Sequence, residues 1–434
     1  MKRLIFLTSL FIVFIQKAQS QANYPILFLE NQFEKIIKEV NSKEPNTDAS
    51  DIFWKAQALR KIGKDSRALV LLKESTQRFV QQEKLNLLYI DILFDNSMYT
   101  KAEPLIDKVL LSDSTNFDLL QKKILISEFN LKYNKAIDIL NKAIEHDSLN
   151  IFYLSHLGDN YKRIDNTILS GYYYKKAYKQ NKYNLNIAKK LIGYYLKKNP
   201  AKAVNICDTI LNTDSLNIAF LRYKAFAFFK MKKFKEALNG YQKIYSLGDS
   251  SVSVLKKIGI SRYKIDDFDG SQLYLEQALK KDTTDSEITF YYGCSYAYSP
   301  YKYRALRYFF KTIELLEPNK QVLVAIYDQI AFTYRNIHEY DKSLDYYQKI
   351  YKLDPSKSKC LFSIASIYDN NLKQKVKAKE YYELFLARVG ASLLADTTAK
   401  PGKVTYVNSA IHSIKEINEE LFFEGKLNNS KKKK

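Results

Sequence analysis

The sequence predicts an all-α chain, a solenoid of about ten stacked helical hairpins, and three observations carry that expectation. Small residues recur as Ala68, Ala102, Ala136, Ser170, Ala203, Ala237, Ser271, Ala305, Ser343 and Ala378, at steps of 34, 34, 34, 33, 34, 34, 34, 38 and 35. A second series lies about twelve residues upstream: Leu157-Gly158 with Tyr161, Ile192-Gly193, Ile258-Gly259, Tyr292-Gly293 with Tyr296, Ile330-Ala331 with Tyr334, and Ile364-Ala365 with Tyr368. Around both series apolar side chains fall three and four residues apart, as in Phe234, Ala237, Leu238, Tyr241 and Ile244, which is the buried stripe of a helix. Small residues at paired sites let two helices approach closely while bulky neighbours fill the gap between hairpins. The stretch Leu154 to Ala177 is the clearest copy, with the polar turn Arg163-Ile164-Asp165-Asn166 between its two helices.

Composition agrees. A hydrophobic fraction of 46% with only 12 Gly and 8 Pro suits a folded helical chain, and 35 Tyr with 25 Phe suit a thin core that is never far from water.

The elements follow in order. Residues 1–20 read as a secretory signal: Lys2-Arg3, an apolar run from Leu4 to Ile15, and small residues Ala18-Gln19-Ser20 for cleavage near Ser20. That run is too short to span a bilayer, and it places the mature chain outside the cytoplasm, in the periplasm or on the cell envelope. Residues 21–48 carry Phe33, Ile36, Ile37 and Val40 at helical spacing before Pro45-Asn46, a half-repeat that caps the array. The repeats fill 49–390. One unit shortens its inter-helix turn at Asn199-Pro200. The step of 38 inserts four residues around Glu317-Pro318-Asn319, close to one helical turn, so the buried face keeps its phase and curvature changes locally. Over 391–425 a polar loop, Asp396 to Lys403, precedes a closing helix with Val407, Ala410, Ile411, Ile414, Ile417 and Leu421 on one side. Residues 426–434 form a disordered basic tail.

The 34-residue spacing, the Leu-Gly-x-x-Tyr core at Leu157-Gly158-Tyr161 and the later small-x-x-x-aromatic pattern resemble the tetratricopeptide repeat, here of an exported bacterial kind. Pro318 and Pro355 match the proline that often ends a unit. The family's Trp is absent from most units, with Trp54 early in the first and Leu154, Leu221 and Leu255 in its place elsewhere. The resemblance implies a right-handed α-solenoid whose first helices line a concave groove, with proteins or peptides as partners. By position, the groove-facing candidates are Lys162 and Arg163; Lys190, Tyr194, Lys197 and Lys198; Arg222, Phe226, Phe229 and Lys230; Lys256, Tyr263 and Lys264. Cations alternate with rings there, which suits acidic or C-terminal peptide segments. Asp91, Asp95, Asp118 and Glu128 occupy the preceding units and make the groove polar in charge along its length.

Nothing in the sequence carries an enzyme motif. It has no Gly-rich phosphate loop, no paired His on one helix, no Cys pair at metal spacing and no Gly-x-Ser-x-Gly elbow, so no cofactor or metal is expected. His146, His156, His338 and His412 are scattered, and Cys207, Cys294 and Cys360 fall in hairpins that are not neighbours and read as buried thiols. The formal charge of +22, reduced to +19 by loss of Lys2, Arg3 and Lys17, favours anionic partners, although abundant Lys, Asn, Ile and Tyr also match the bias of an AT-rich coding sequence. Two functional readings follow. The first is a non-enzymatic scaffold that gathers proteins at the cell envelope. The second is a peripheral binder whose basic face and Lys tail hold anionic lipid or polymer. Nucleic acid is not an expected partner, because no recognition motif accompanies the charge.

Overall fold

The computed structural model describes residues 23–80, 82–316, 319–393 and 401–431. The expected signal segment, Pro318 and Lys432 to Lys434 lie outside the described residues. Among the described residues every regular element is a helix, and consecutive helices pack in pairs. The chain divides into two compact units, up to Leu191 and from Ile192 onward.

In the first unit a short pair, α1 (Tyr24–Leu29) and α2 (Phe33–Asn41), precedes four hairpins. These are α3 (Ala49–Lys61) with α4 (Asp65–Arg78), α5 (Glu83–Asp95) with α6 (Tyr99–Leu110), α7 (Phe117–Phe129) with α8 (Tyr133–His146), and α9 (Ile151–Arg163) with α10 (Thr167–Gln180). The boundary between units falls within α11 (Leu185–Lys198). The second unit continues with α12 (Pro200–Leu211), then pairs α13 (Ile218–Lys230) with α14 (Phe234–Ser246), α15 (Val252–Tyr263) with α16 (Phe268–Lys281), α17 (Ser286–Ala297) with α18 (Lys302–Leu315), and α19 (Lys320–Asn336) with α20 (Tyr340–Leu353). Its last repeat is α21 (Lys359–Ser366), widened by a π-type turn at Ile367–Asn371, and α22 (Lys375–Leu393); α23 (Pro401–Lys431) closes it.

Local chemistry sets the helix boundaries. Asn116, Asn150, Asn217 and Asp285 each accept a hydrogen bond from a backbone N–H of the first turn that follows, so the first helix of those hairpins starts on a side-chain cap. In eight of the hairpins the chain passes between the paired helices through one left-handed residue, Gly63, Ser97, Leu131 or Asp165 in the first unit and Lys232, Asp266, His338 or Lys373 in the second. Asp267 then caps α16 by accepting from the Gly270 amide at 3.0 Å.

All ten members of the small-residue series are buried. The structural cause is visible at Gly158, where a Cβ would stand 2.4 Å from the ring of Tyr174. At Gly259 it would meet Leu275 at 2.5 Å, and at Gly293 Phe309 at 2.8 Å. The two helices of a hairpin therefore approach until only a hydrogen atom fits between backbone and opposing side chain. Ser343 fills the same position by donating its hydroxyl to the Ala331 carbonyl at 2.8 Å.

Three expectations need correction. Gly193 is exposed, with no atom within 4 Å of an added Cβ, and Leu191 and Ile192 are the buried pair instead. The residue lost at Asn199-Pro200 comes out of the turn, so α11 keeps the 34-residue phase and Ile192, not Gly193, corresponds to Gly158. Ile411 is 54% exposed on α23, while Ala410 and Ile417 are buried and Tyr406, Val407, Ile414 and Leu421 pack beside them. Finally, α23 starts inside the stretch expected as a loop and runs through Lys431 into the expected tail; Pro401 suits a first helical position and no later Pro interrupts the segment. The four extra residues at the step of 38 lengthen a helix rather than a loop, since α19 has 17 residues where α13 has 13.

Two predictions follow from this packing. Gly158→Ala is expected to cost about 1–3 kcal/mol through overpacking against Tyr174, whereas Gly193→Ala should stabilise by about 0.4–1 kcal/mol; chemical denaturation of the two variants measures both signs. At the start of the array Asp51 is buried, accepting from Tyr24 at 2.9 Å, Lys43 at 2.6 Å and the Asp48 amide at 3.1 Å. Burial alone raises its pKa, but the bonds from Lys43, Asp48 and Tyr24 outweigh it and hold the carboxyl below the usual range. Its contribution is thus complete above the ordinary carboxylate pKa and is lost as pH falls through the depressed value. Hydrogen-exchange protection of α1 and α2 should fall over that acid window, and Asp51→Asn should flatten the dependence.

Candidate functional site

The candidate residues stand on the first helices of their hairpins, where the small-residue contacts fix one face and leave the other to solvent. In the first unit Lys162 and Arg163 occupy the last turn of α9, a position that favours cations because the helix dipole is negative there. Both are exposed, and among the described residues neither has a carboxylate partner within ion-pair distance. They line an open cleft of about 840 Å³ together with Glu128, Phe129, Leu131, Tyr133, Asp159 and Asn160.

The acids of that cleft are engaged. The Glu128 carboxylate accepts from His156 Nδ1 at 2.9 Å and from the Asn160 amide, and His156 stacks on Phe152 with ring centroids 4.0 Å apart. Asp159 accepts from Tyr174 at 2.7 Å and pairs with Lys190, whose ammonium also reaches Ser155 Oγ at 2.7 Å. Burial, reinforced by this bond to a carboxylate, pushes the Tyr174 hydroxyl well above its ordinary pKa. Lys190 therefore ties two successive hairpins together. His156 is likewise a half-buried structural partner.

The expected acidic stretch is neutralised in the same way. Asp91 and Asp118 both pair with Lys122, and Asp95 pairs with Arg60. The acidic end of the charge polarity expected along the groove is thus largely cancelled by contacts the sequence does not display.

In the second unit Tyr194 and Lys197 lie on α11, Tyr194 half-exposed against Tyr195 and Lys197 exposed. Arg222 pairs with Asp249, and Lys256 with Asp285 at 2.7 Å and Glu287 at 3.0 Å. The rings fall in two groups, one on α13 and one around Tyr263. Phe226 lies 6.0 Å below the Lys230 ammonium on α13, and Phe229 meets Phe234 edge-on at 5.5 Å with Lys257 of α15 4.4 Å above it. Tyr263 touches Phe268, Tyr291 and Tyr298, and Lys264 sits 5.2 Å from both Tyr263 and Tyr291. Phe268 and Tyr298 stack face to face at 4.5 Å. Burial pushes the Tyr291 hydroxyl up to about 12 and depresses the Lys257 ammonium.

Sequence reasoning missed Lys257, Phe268, Tyr291 and Tyr298. A signal was present, since Phe229 and Tyr263 stand one repeat apart and so do Lys257 and Tyr291. Asp328 of α19 was also missed: desolvation outweighs the pull of Lys359 and raises its carboxyl.

The three cysteines are free and buried, each with its thiol pushed up to about 12, chiefly by burial. Among the described residues no three His, Cys, Asp or Glu side chains gather where a metal ion would fit, and no described helix is long and apolar enough to cross a membrane.

No protein-family model matches the chain, and no curated protein matches it. Among solved structures it is similar to the APC/C hetero-tetramer Cut9–Hcn1, with 12% identity over 91% of this chain and 98% of that one and a TM-score of 0.41. A tetratricopeptide repeat protein from Parabacteroides merdae shares 13% identity over 57% of this chain and 98% of that one, at a TM-score of 0.39. YrrB, described as a TPR protein with an unusual peptide-binding site, shares 16% over 41% of this chain and 91% of that one, at 0.35. At those scores the likeness carries no argument by itself. The chain's own register does establish the fold: helical hairpins stacked at a spacing of about 34 residues, with all ten members of the small-residue series buried.

Proposed function

We propose that this repeat chain is a non-enzymatic scaffold that binds protein or peptide segments along the first helices of its hairpins, and that residues 1–20 direct it to the cell envelope. The observation that carries the reading is the row of rings and ammonium groups in the second unit, running from Phe226 and Lys230 through Phe229 and Lys257 to Tyr263, Lys264 and Tyr291 on α13, α15 and α17. Rings bound at their faces by fixed cations lose little freedom on binding and offer apolar area with polar edges, which suits segments of mixed side chains.

Arg222 and Lys256 enter this reading differently from the free cations. Each already holds an internal carboxylate, so an acidic partner displaces Asp249 or Asp285 rather than gaining a new pair. Exposed pairs contribute only ~0–1 kcal/mol, and the rings supply the larger share. Lys162, Arg163 and Lys197 remain available for carboxylates.

Crosslinking in intact native cells tests the proposal. The captured chain is expected in the envelope fraction with Gln21 at its N-terminus, and Phe226→Ala combined with Lys264→Glu should lower partner capture about tenfold, one ring and one charge together contributing ~1.4 kcal/mol. Unchanged capture by the folded double variant would remove the ring face from the function.

A further inference from the structure

Where a left-handed residue joins paired helices it is polar or Gly in every described case but one: Asn31, Gly63, Ser97, Asp165, Lys232, Asp266, His338 and Lys373, against Leu131 at φ 58. A branched apolar side chain is unfavourable in that conformation, and here it is also 70% exposed, so two costs fall on one residue with no packing in return. Such a position is retained where the side chain meets something outside the fold.

Its surroundings identify what that is. Phe129, two residues earlier, is 67% exposed, and Ile168 at the start of α10 is 78% exposed. Turns within hairpins share one end of a stack of antiparallel pairs, and Phe129, Leu131, Lys162 and Arg163 line one cleft, so these apolar tips belong to a single edge of the third and fourth hairpins. Lys132, Lys162 and Arg163 stand among them with no carboxylate partner among the described residues. Of the acids nearby, Glu128 and Asp159 are bound internally, and Asp165 is the exposed one. After Asp165 no acidic residue occurs until Asp208, while Lys175, Lys176, Lys179 and Lys182 follow along α10 and the turn beyond it. The α10 helix that starts at this edge therefore brings no acid to it.

We propose that this edge docks on an anionic lipid surface, with Phe129, Leu131 and Ile168 entering the headgroup boundary and Lys132, Lys162 and Arg163 contacting lipid phosphates. Apolar tips ringed by unpaired cations match such a surface in both of its components, since buried hydrocarbon and headgroup charge contribute separately. A segment of acidic side chains alone would satisfy the cations and leave the three tips in water. This contact goes beyond segment binding in the second unit, and it does not use the Lys tail.

Co-sedimentation of the full chain with phosphatidylglycerol–phosphatidylcholine vesicles, against phosphatidylcholine alone, tests the proposal. The chain should sediment with the anionic vesicles only and be released by salt. Leu131→Gly should raise the melting temperature, because the turn is relieved, and still weaken vesicle binding about tenfold. Lys162→Glu with Arg163→Glu should weaken it about a hundredfold, and deleting residues 426–434 should leave most binding intact. The proposal is overturned if anionic vesicles fail to sediment the chain, if the folded Leu131→Gly variant binds as tightly as the parent, or if the tail deletion alone abolishes binding.

Discussion

Everything in this chain depends on how closely the two helices of a hairpin approach. At Gly158 the backbone of one helix lies against the ring of Tyr174 from the other, with no room for a methyl group, and the same holds at Gly259 and Gly293. That contact orients each hairpin, and the orientation decides which side chains reach the next one. A repeat array has no central core to compensate for a poor local fit, because each unit touches only its neighbours. The small positions are therefore the most constrained in the sequence, and residues on the outward faces of the first helices are the freest to vary.

Those residues were legible to different degrees. The small-residue series could be read directly, since a 34-residue period repeated ten times overdetermines the register, and all ten positions are buried. Gly193 was misread because a Gly beside a bulky residue looks the same whether it lies in the interface or one position beyond it; only the placement of the deletion in the turn resolves the phase. Ile411 was misplaced for a related reason. A stripe of six apolar residues on a long helix is wider than the surface available to cover it, and periodicity does not say which edge is left in water.

The charges show the opposite limit. Lys162, Lys190, Arg222 and Lys256 look alike as letters in the first helices, yet Lys190 holds Asp159, Arg222 holds Asp249, Lys256 holds Asp285 and Glu287, and Lys162 holds none among the described residues. Each of those partners lies 27 to 31 residues away, in a neighbouring hairpin or the turn before it. Such pairs become visible only once hairpins are stacked. A count of cations along a repeat therefore overstates the charge that a partner meets, and the difference between formal and available charge is itself a product of the fold.

The extended α19 has a consequence of another kind. Its four additional residues form a full turn at the helix start, where Lys320, Gln321 and Val322 are exposed and the second helix of the pair is only 14 residues long. The repeat has grown the way a course of masonry grows, by a whole unit. A change of four residues preserves which side faces the neighbours, because it nearly completes one revolution, while a change of two would rotate that side outward. Length in this architecture is thus effectively quantised: the chain can lengthen a wall by helical turns without disturbing the joints, and each lengthening leaves a ledge that the other repeats lack.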